Sequence, residues 1–249
     1  LSFMISSNKT VAITGSQRSP DRASSDVSMN LVCSALFATK SKFPGTAMVM
    51  HGSSSDDFCF AHRGTKVRKL HTSRRDAFKS VNAKPLAKIF ADGRIEEKNF
   101  EERQVEEKLN AVFDDKVALV KAYPGSDPAI LDFLAEKNKG IIIEAMGLGH
   151  LPTREKSWLP NVKKLVDKGI FVGISSQTVF GRVNPLVYSN LRLVADAGSV
   201  FLEDLLAETA DVKLGWVLAQ SKSFEETKEM MLKNVAGEFN ARLAPEDFL

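Results

Sequence analysis

A lysine in a basic stretch is the first residue whose type and position suggest chemistry. Residues 63–84 are rich in lysine and arginine and contain a single acidic side chain, Asp76. If residues 67–70 form a strand, Lys69 lies on the same face as its apolar neighbour Val67, because side chains alternate along a strand. Its ammonium group can then either extend into water or serve as a catalytic cation. The local sequence favours the first alternative, since most lysines are solvated.

Other motifs that resemble functional sites have simpler explanations. The Gly147-Leu148-Gly149 turn lacks the third glycine of a dinucleotide loop, so it is better interpreted as a tight turn. Residues 53–57 do not match the spacing of a calcium loop. The four histidines are not spaced as metal ligands, and no Gly-x-Ser-x-Gly motif is present. We therefore predict neither a metal site nor a cofactor.

The composition is that of an ordinary globular protein. The 249 residues are 43% hydrophobic and 26% charged, enough for one large or two modest domains. A formal net charge of +3 is too small to indicate nucleic-acid binding by itself. Cys33 and Cys59 form no closely spaced pair, and no apolar run is long enough to cross a membrane. These features favour a cytoplasmic protein.

Apolar runs alternate with helical segments along the chain. Strands are predicted at residues 11–14, 47–50, 117–120, 141–143 and 171–174. Helices are predicted at residues 27–39, 128–136, 158–168, 188–197, 202–219 and 224–234. This alternation predicts an α/β fold with parallel sheets covered on both faces. Functional groups in such folds gather in the loops that leave the strands, here residues 15–26, 51–57, 123–127, 145–151 and 175–184.

Three local features refine this prediction. Asp26 is expected to cap the helix that follows it. Residues 58–61 and 67–70 are expected to form the two arms of a hairpin with Gly64 in the turn. Residues 92–115, which include an acidic run at 96–107, are expected to form a boundary between domains.

Several segments together resemble the L-asparaginase family and, within it, the glutaminase (D-type) subunits of archaeal glutamyl-tRNA(Gln) amidotransferases. These segments are VAITGSQRSPDRASSDVSMNL (11–31), MHGSSSDDFCFAHRGTKVRKLHTSRRDAF (50–78), GIIIEAMGLGH (140–150), SSQTVFGRVNPLVY (175–188) and EDLLAETADVKLGW (203–216). The resemblance implies an asparaginase-like α/β fold of two doubly wound parallel-sheet domains, the first incomplete here. Residues 1–113 would be the remainder of the larger N-terminal domain, and residues 114–249 the smaller C-terminal domain. It also implies a homodimer with active sites completed across the subunit contact.

The resemblance assigns roles to a few residues. Lys69 corresponds to the lysine of a catalytic triad that supports a threonine nucleophile. Ser16 and Gln17 lie in the turn whose backbone contacts the substrate amide. Residues 147–150 correspond to a loop that reaches toward the neighbouring subunit's site. Ala23, Ala145 and Met146 depart from residues that the family prefers.

The motifs that carry the nucleophile are not found in this sequence. The family has a TGGT-like loop for the nucleophile and a GTDT-like loop for the second threonine and the aspartate, and neither occurs in these 249 residues. The small β-rich domain of the amidotransferase subunit is also not recognisable. We expect these parts to precede Leu1.

Three functions remain open on the sequence alone. The first is the glutaminase subunit of a tRNA-dependent amidotransferase, which releases ammonia from glutamine or asparagine. Its partner would be an E-type subunit, and tRNA would be engaged only through that subunit. The second is a stand-alone L-asparaginase. The third is a catalytically inactive structural or interaction module.

Overall fold

The structure, a computed structural model, describes residues 1–97, 100 and 104–248. The chain forms two compact units, one of Leu1–Ala111 with Ala244–Leu249 and the other of Val112–Leu243. The sequence prediction divided the chain after residue 113. Part of the acidic run at 96–107 lies outside the described residues. Among the described residues, no helix combines the length and the apolar composition that a membrane crossing requires.

The first unit is built around a five-stranded sheet. Its elements in chain order are β1 (Ile5–Ser6), β2 (Thr10–Ile13), α1 (Val27–Lys40), β3 (Gly45–His51), β4 (Cys59–Arg63), β5 (Val67–Lys69), β6 (Phe78–Ser80), β7 (Ala87–Ile89), β8 (Ile95–Glu97) and β9 (Lys108–Leu109). The sheet has the order β2-β3-β4-β7-β8, whereas β1–β9 and β5–β6 form separate two-stranded sheets. Only the β2–β3 pair of the large sheet is parallel; the other three pairs are antiparallel. In this unit, therefore, one strand pair of the five-stranded sheet has the expected parallel arrangement.

The core of this unit lies between α1 and the five-stranded sheet. Cys33 and Phe37 on α1 pack with Val49 on β3 and with Ala61 on β4, and all four are fully buried. The predicted strands at 11–14 and 47–50 and the predicted helix at 27–39 are confirmed within a few residues.

The predicted hairpin between residues 58–61 and 67–70 is wrong. Both segments are strands, but β4 pairs with β3 and β7, and β5 pairs with β6. The turn at Gly64 thus leads from one sheet into another. Its amide donates to the Thr46 carbonyl at 2.9 Å, which holds this corner against β3. Adjacent strand patterns do not specify which partners pair.

The second unit alternates strands and helices around a parallel sheet. Its elements are β10 (Val117–Lys121), α2 (Ala129–Ala135), β11 (Gly140–Ala145), α3 (Leu159–Asp167), β12 (Phe171–Ser176), α4 (Ser189–Asp196), β13 (Val200–Phe201), α5 (Ala207–Leu218) and α6 (Phe224–Leu232). The sheet has the order β10-β11-β12-β13, and all three pairs are parallel. Every residue of β11 is buried, as expected for a parallel strand covered on both faces. The predicted α/β class is confirmed.

The helix predicted at 202–219 begins later than expected, at Ala207. Glu203 has a φ of 51°, and the Leu205 amide bonds to the Leu202 carbonyl at 3.0 Å. A residue in the left-handed region interrupts a right-handed helix, so residues 202–206 form a turn instead.

Candidate active site

The loop after β2 is held by a buried carboxylate. The Gln17 amide donates to Asp26 Oδ1 and Oδ2 at 3.1 and 3.0 Å, and the Arg18 amide donates to Oδ1 at 2.9 Å. Asp26 is fully buried, and these backbone donors stabilise its charge. Asp26 is the N-cap residue of α1, as predicted, but its carboxylate makes no side-chain cap hydrogen bond to the helix. Its carboxylate shapes the loop that carries Ser16 and Gln17.

Asn30, one turn into α1, ties this loop to the helix. Its Nδ2 donates to the Gly15 carbonyl and to Asp26 Oδ2, both at 2.9 Å. Ser16 is exposed at the turn, and Gln17 is half-buried. Gln17 Oε1 is enclosed and has no hydrogen-bond partner among the described residues. The two residues that were predicted to bind substrate thus lie on a fixed loop at the carboxyl end of a strand.

A chain of hydrogen bonds continues from Asn30 to the next loop. Asn30 Oδ1 lies 2.6 Å from His51 Nδ1, and His51 Nε2 lies 3.1 Å from Asp56 Oδ1. Arg75 Nη1 donates to the same Asp56 oxygen at 2.7 Å, and Arg75 Nη2 donates to the Ser54 carbonyl. We call Asp26, Asn30, His51, Asp56 and Arg75 the His51 network. It connects the loop of Gln17 to the segment that joins β5 and β6.

Lys69 lies at the end of β5 and is exposed. It pairs with Phe78 on β6, and the Leu70 amide donates to the Ala77 carbonyl at 2.8 Å. No contact among the described residues joins Lys69 directly to Ser16 or Gln17. The His51 network extends from the loop of Ser16 and Gln17 to Arg75, in the segment that follows Lys69.

The loop between β5 and β6 is closed by its own ion pair. Arg74 Nε and Nη2 donate to Asp76 Oδ1 and Oδ2 at 2.8 and 2.9 Å, a bidentate contact. These bonds, together with the charge of Lys79, lower the pKa of Asp76 to about 2. His71 Nδ1 accepts from the Arg74 amide at 3.1 Å. The strand end that carries Lys69 is therefore followed by a preorganised loop.

In the second unit, residues 146–150 form the tight turn that the sequence predicted. The Met146 amide donates to the His150 carbonyl at 3.0 Å, and the His150 amide donates back at 2.8 Å. Gly149 has a φ of +111°, and a Cβ there would lie 2.5 Å from the Phe201 ring, so the turn requires glycine. Ser176 Oγ donates to the Gly147 carbonyl at 2.7 Å and fixes the turn to the loop after β12.

A cleft of about 600 Å³ lies beside this turn, lined by His150, Pro152, Thr153, Arg154, Glu155, Tyr188, Ser189 and Asn190. The centroids of the His150 and Tyr188 rings lie 5.5 Å apart there, and the ring planes are tilted by 46°. His150 is the residue of the predicted loop 147–150 that lines this cleft.

Sequence reasoning missed His51, Asn30 and Asp56 as members of the site. His51 and Asp56 lie in a loop, residues 51–57, that was expected to carry function, but neither was singled out. The sequence contains one signal that could have drawn attention to Asn30. Asp26 and Asn30 are four residues apart and so share a face at the start of α1.

Two family descriptions match this chain. "Asparaginase, N-terminal" matches residues 1–102, and "Glutaminase/Asparaginase C-terminal domain" matches residues 116–231. Together with the two α/β units and the polar loops at their strand ends, these matches define an asparaginase-type protein. The chain belongs to the asparaginase family.

Named relatives are similar to this chain over nearly its whole length. The D-type subunit of the glutamyl-tRNA(Gln) amidotransferase of Pyrococcus abyssi is 49% identical over 96% of this chain and 55% of its own length. The corresponding protein of Pyrococcus furiosus is 48% identical over 100% of this chain and 57% of its own length. The chain thus spans about half the length of the curated relatives it matches.

Solved structures show the same fold. The thermostable L-asparaginase from Thermococcus kodakarensis matches with a TM-score of 0.88 and 27% identity. The match covers 97% of this chain and 71% of that protein. The predicted asparaginase-like fold is confirmed.

Proposed function

We propose that the complete protein is the glutamine-hydrolysing subunit of a tRNA-dependent amidotransferase. One observation carries this proposal: the relatives that are 48–49% identical across both units are named as D-type subunits of such an enzyme. The solved asparaginase of matching fold is only 27% identical. The sequence of this chain is therefore closer to the amidotransferase subunits than to that asparaginase.

The proposed reaction proceeds through an acyl-enzyme. A threonine hydroxyl attacks the side-chain amide carbon of glutamine, and an ester forms as the C–N bond breaks. The hydroxyl proton goes to the leaving nitrogen, which departs as ammonia. Water then hydrolyses the ester to give glutamate and restores the threonine. The threonines and the aspartate would come from residues outside this chain, because its 249 residues contain neither threonine motif.

Lys69 is the residue of this chain that we assign to catalysis. Its ammonium group is exposed at the end of β5, where a reacting group can approach it. A cation beside a carboxylate keeps that carboxylate ionised and helps the nucleophilic hydroxyl to lose its proton. The closed Arg74–Asp76 loop supports this role, since it restricts the strand end that carries the lysine.

Ser16 and Gln17 are the residues that we assign to substrate binding. Asp26 and Asn30 hold their loop before any ligand arrives, so little ordering cost remains for binding. Gln17 Oε1 is enclosed and has no hydrogen-bond partner among the described residues, so the side chain would have to rotate to offer this acceptor to an N–H group of the substrate.

The proposed partners follow from the same assignment. Ammonia would pass to an E-type subunit that amidates glutamate attached to tRNA, so contact with tRNA would be indirect. A homodimer would let the turn at 146–150 reach a neighbouring site. This role in translation would place the protein in the cytoplasm.

An ammonia-release assay tests the proposal. The complete protein, with any residues that precede Leu1 in it, is given glutamine or asparagine with and without an E-type subunit and glutamyl-tRNA. We expect glutamine hydrolysis that the partner and the tRNA stimulate. Vigorous asparagine turnover without the partner would instead establish a stand-alone asparaginase. Absence of hydrolysis under every condition would establish a non-enzymatic module.

A further inference from the structure

The orientation of the Asn30 amide is fixed by its neighbours. Its Nδ2 faces the Gly15 carbonyl and Asp26 Oδ2, and both are acceptors. A flipped amide would place an oxygen against these two oxygens, so Oδ1 must point toward His51. The Cys59 thiol also points at Asn30 Oδ1, from 3.5 Å. Asn30 Oδ1 is therefore an acceptor, and His51 Nδ1 must carry a proton to bond to it at 2.6 Å.

The other ring nitrogen of His51 also faces an acceptor. His51 Nε2 lies 3.1 Å from Asp56 Oδ1. The hydrogen bond with His51 lowers the pKa of Asp56, and the charge of Arg75 acts in the same direction. Asp56 is thus a carboxylate at neutral pH and has no proton to donate.

With acceptors on both sides, the doubly protonated ring is the form that satisfies every bond. The groups that face His51 support a positive charge, because Asp56 contacts it directly and Asp26 lies behind Asn30. Cys59 on β4 is a neutral neighbour, and the cation Arg75 binds Asp56 rather than the ring. The ring itself is fully buried.

We infer that His51 is a positioning residue that, as an imidazolium, couples the substrate loop of Ser16 and Gln17 to the Asp56–Arg75 pair. This inference rests on the proposed function only in calling the loop of Ser16 and Gln17 a substrate loop. The coupling itself is a property of the fold. The ring bonds to Asn30 on one side, and Asn30 holds Gly15 and Asp26. On the other side it bonds to a carboxylate that is paired with the β5–β6 segment.

The coupling has a direct consequence for ligand binding. Asp26 bonds to the Gln17 and Arg18 amides, so a loosened Asn30 would loosen these amides too. Removing the charge of Asp56 should therefore weaken substrate binding more than it slows the chemical step, because the Arg74–Asp76 ion pair still closes the segment that follows Lys69.

Asp56→Asn in the complete protein is the variant that tests this inference. The Asp56 side chain is 68% exposed, so the variant should fold. Asp57→Asn is the matched control, since the neighbouring Asp57 lies in the same loop and, among the described residues, accepts a side-chain hydrogen bond from Ser53 at 3.3 Å without contacting His51. Asp56→Glu keeps the charge and should restore the parent behaviour in part.

Nitrogen-15 NMR of the His51 ring gives the first readout, and it needs no enzymatic activity. At neutral pH the parent should show protons on both ring nitrogens, and Asp56→Asn should show one. A single protonated nitrogen in the parent would overturn the inference, even if glutamine hydrolysis is observed.

Amide hydrogen exchange and kinetics give the second readout. In Asp56→Asn, exchange of the Gln17 and Arg18 amides should become about tenfold faster, and KM for glutamine should rise about tenfold with kcat within about twofold. Asp57→Asn should change none of these. Unchanged exchange in Asp56→Asn would refute the coupling. A protein that hydrolyses no amide would refute only the proposed function, because the exchange result still decides the coupling.

Discussion

Each unit contains a cluster of buried charged groups, and the two clusters compensate the cost of burying charge in different ways. In the second unit, Lys213 on α5 donates to the Met231 and Lys233 carbonyls at 2.8 and 2.6 Å and to Glu238 Oε1 at 2.7 Å. The side chains of Lys213 and Glu238 are both 0% exposed. We call these residues the Lys213 cluster. In the first unit, the His51 network instead runs from buried Asp26 to Asp56, which is 68% exposed.

The two clusters differ in where their chains of hydrogen bonds end. The Lys213 ammonium meets three internal acceptors, and Glu238 also accepts from the Val235 and Ala236 amides at 3.0 and 2.6 Å. These bonds fasten the segment after α6 to α5. The His51 network ends in solvent-facing loops at the carboxyl ends of strands. A buried charge with only internal partners holds the fold, whereas one that reaches such loops is a candidate for function.

The largest stability effect should come from breaking the Lys213 cluster. Lys213→Met leaves Glu238 buried without its cation, and such a loss costs about 3–5 kcal/mol. Burial already lowers the pKa of Lys213, while Glu238 opposes this effect, so the charge depends on its partner. The chain's two tryptophans, Trp158 and Trp216, lie in the second unit, so urea unfolding followed by fluorescence reports on that unit.

Lys163→Met is the control for this measurement. Lys163 pairs with Asp167 at 3.1 Å on the surface of α3, and such exposed pairs contribute about 0.3–0.5 kcal/mol. Equal losses of unfolding free energy in the two variants would contradict the distinction between a closed buried cluster and a surface ion pair.

A smaller, pH-dependent effect is expected at His62, a buried residue of the first unit outside the His51 network. Its Nδ1 lies 2.8 Å from Ser80 Oγ. Burial, aided by the charge of Lys79, lowers its pKa to about 3. Unfolding restores an ordinary pKa of about 6.5, so the unfolded chain binds a proton that the folded chain does not at pH values between these two. Stability contributed by neutral His62 is complete above about pH 6.5 and is lost as the pH falls toward 3.

His62→Gln should remove this pH dependence. From pH 7 to pH 5, protonation of His62 in the unfolded chain should cost the parent about 2 kcal/mol of unfolding free energy. The decrease measured for the variant over the same pH range should be smaller by this amount. Urea unfolding followed by circular dichroism at each pH measures the difference. Parallel pH profiles for parent and variant would show that His62 does not remain neutral in the folded chain.

The sequence predicted the second unit better than the first for physical reasons. Its strands are continuous apolar runs, and its helix boundaries carry local signals. Asp127 Oδ1 accepts from the Ala129 amide at 2.9 Å at the start of α2, and Gly169 has a φ of +80° after α3. Such signals act within a few residues and can be recognised in a sequence.

The first unit depends on contacts between distant residues. The partners of β4 and β5 are chosen by the sheets, and adjacency in the chain suggested the wrong pair. Asp26 had the right type and position for a helix cap, but the backbone of residues 17 and 18 competes for its carboxylate. The His51 network brings together residues 26 to 75, which no local pattern could assemble.

Lys69→Met in the complete protein tests the central claim most directly, with Lys84→Met as the control from the same basic stretch. Lys84 is exposed and lies outside the proposed site. If Lys69 supports the threonine nucleophile, its loss should lower kcat for ammonia release from glutamine by about 100-fold or more. KM should stay within about threefold, because the interaction is made mainly in the transition state. Lys84→Met should keep the parent rate. A Lys69→Met variant that releases ammonia at the parent rate would contradict the assignment of Lys69 to catalysis.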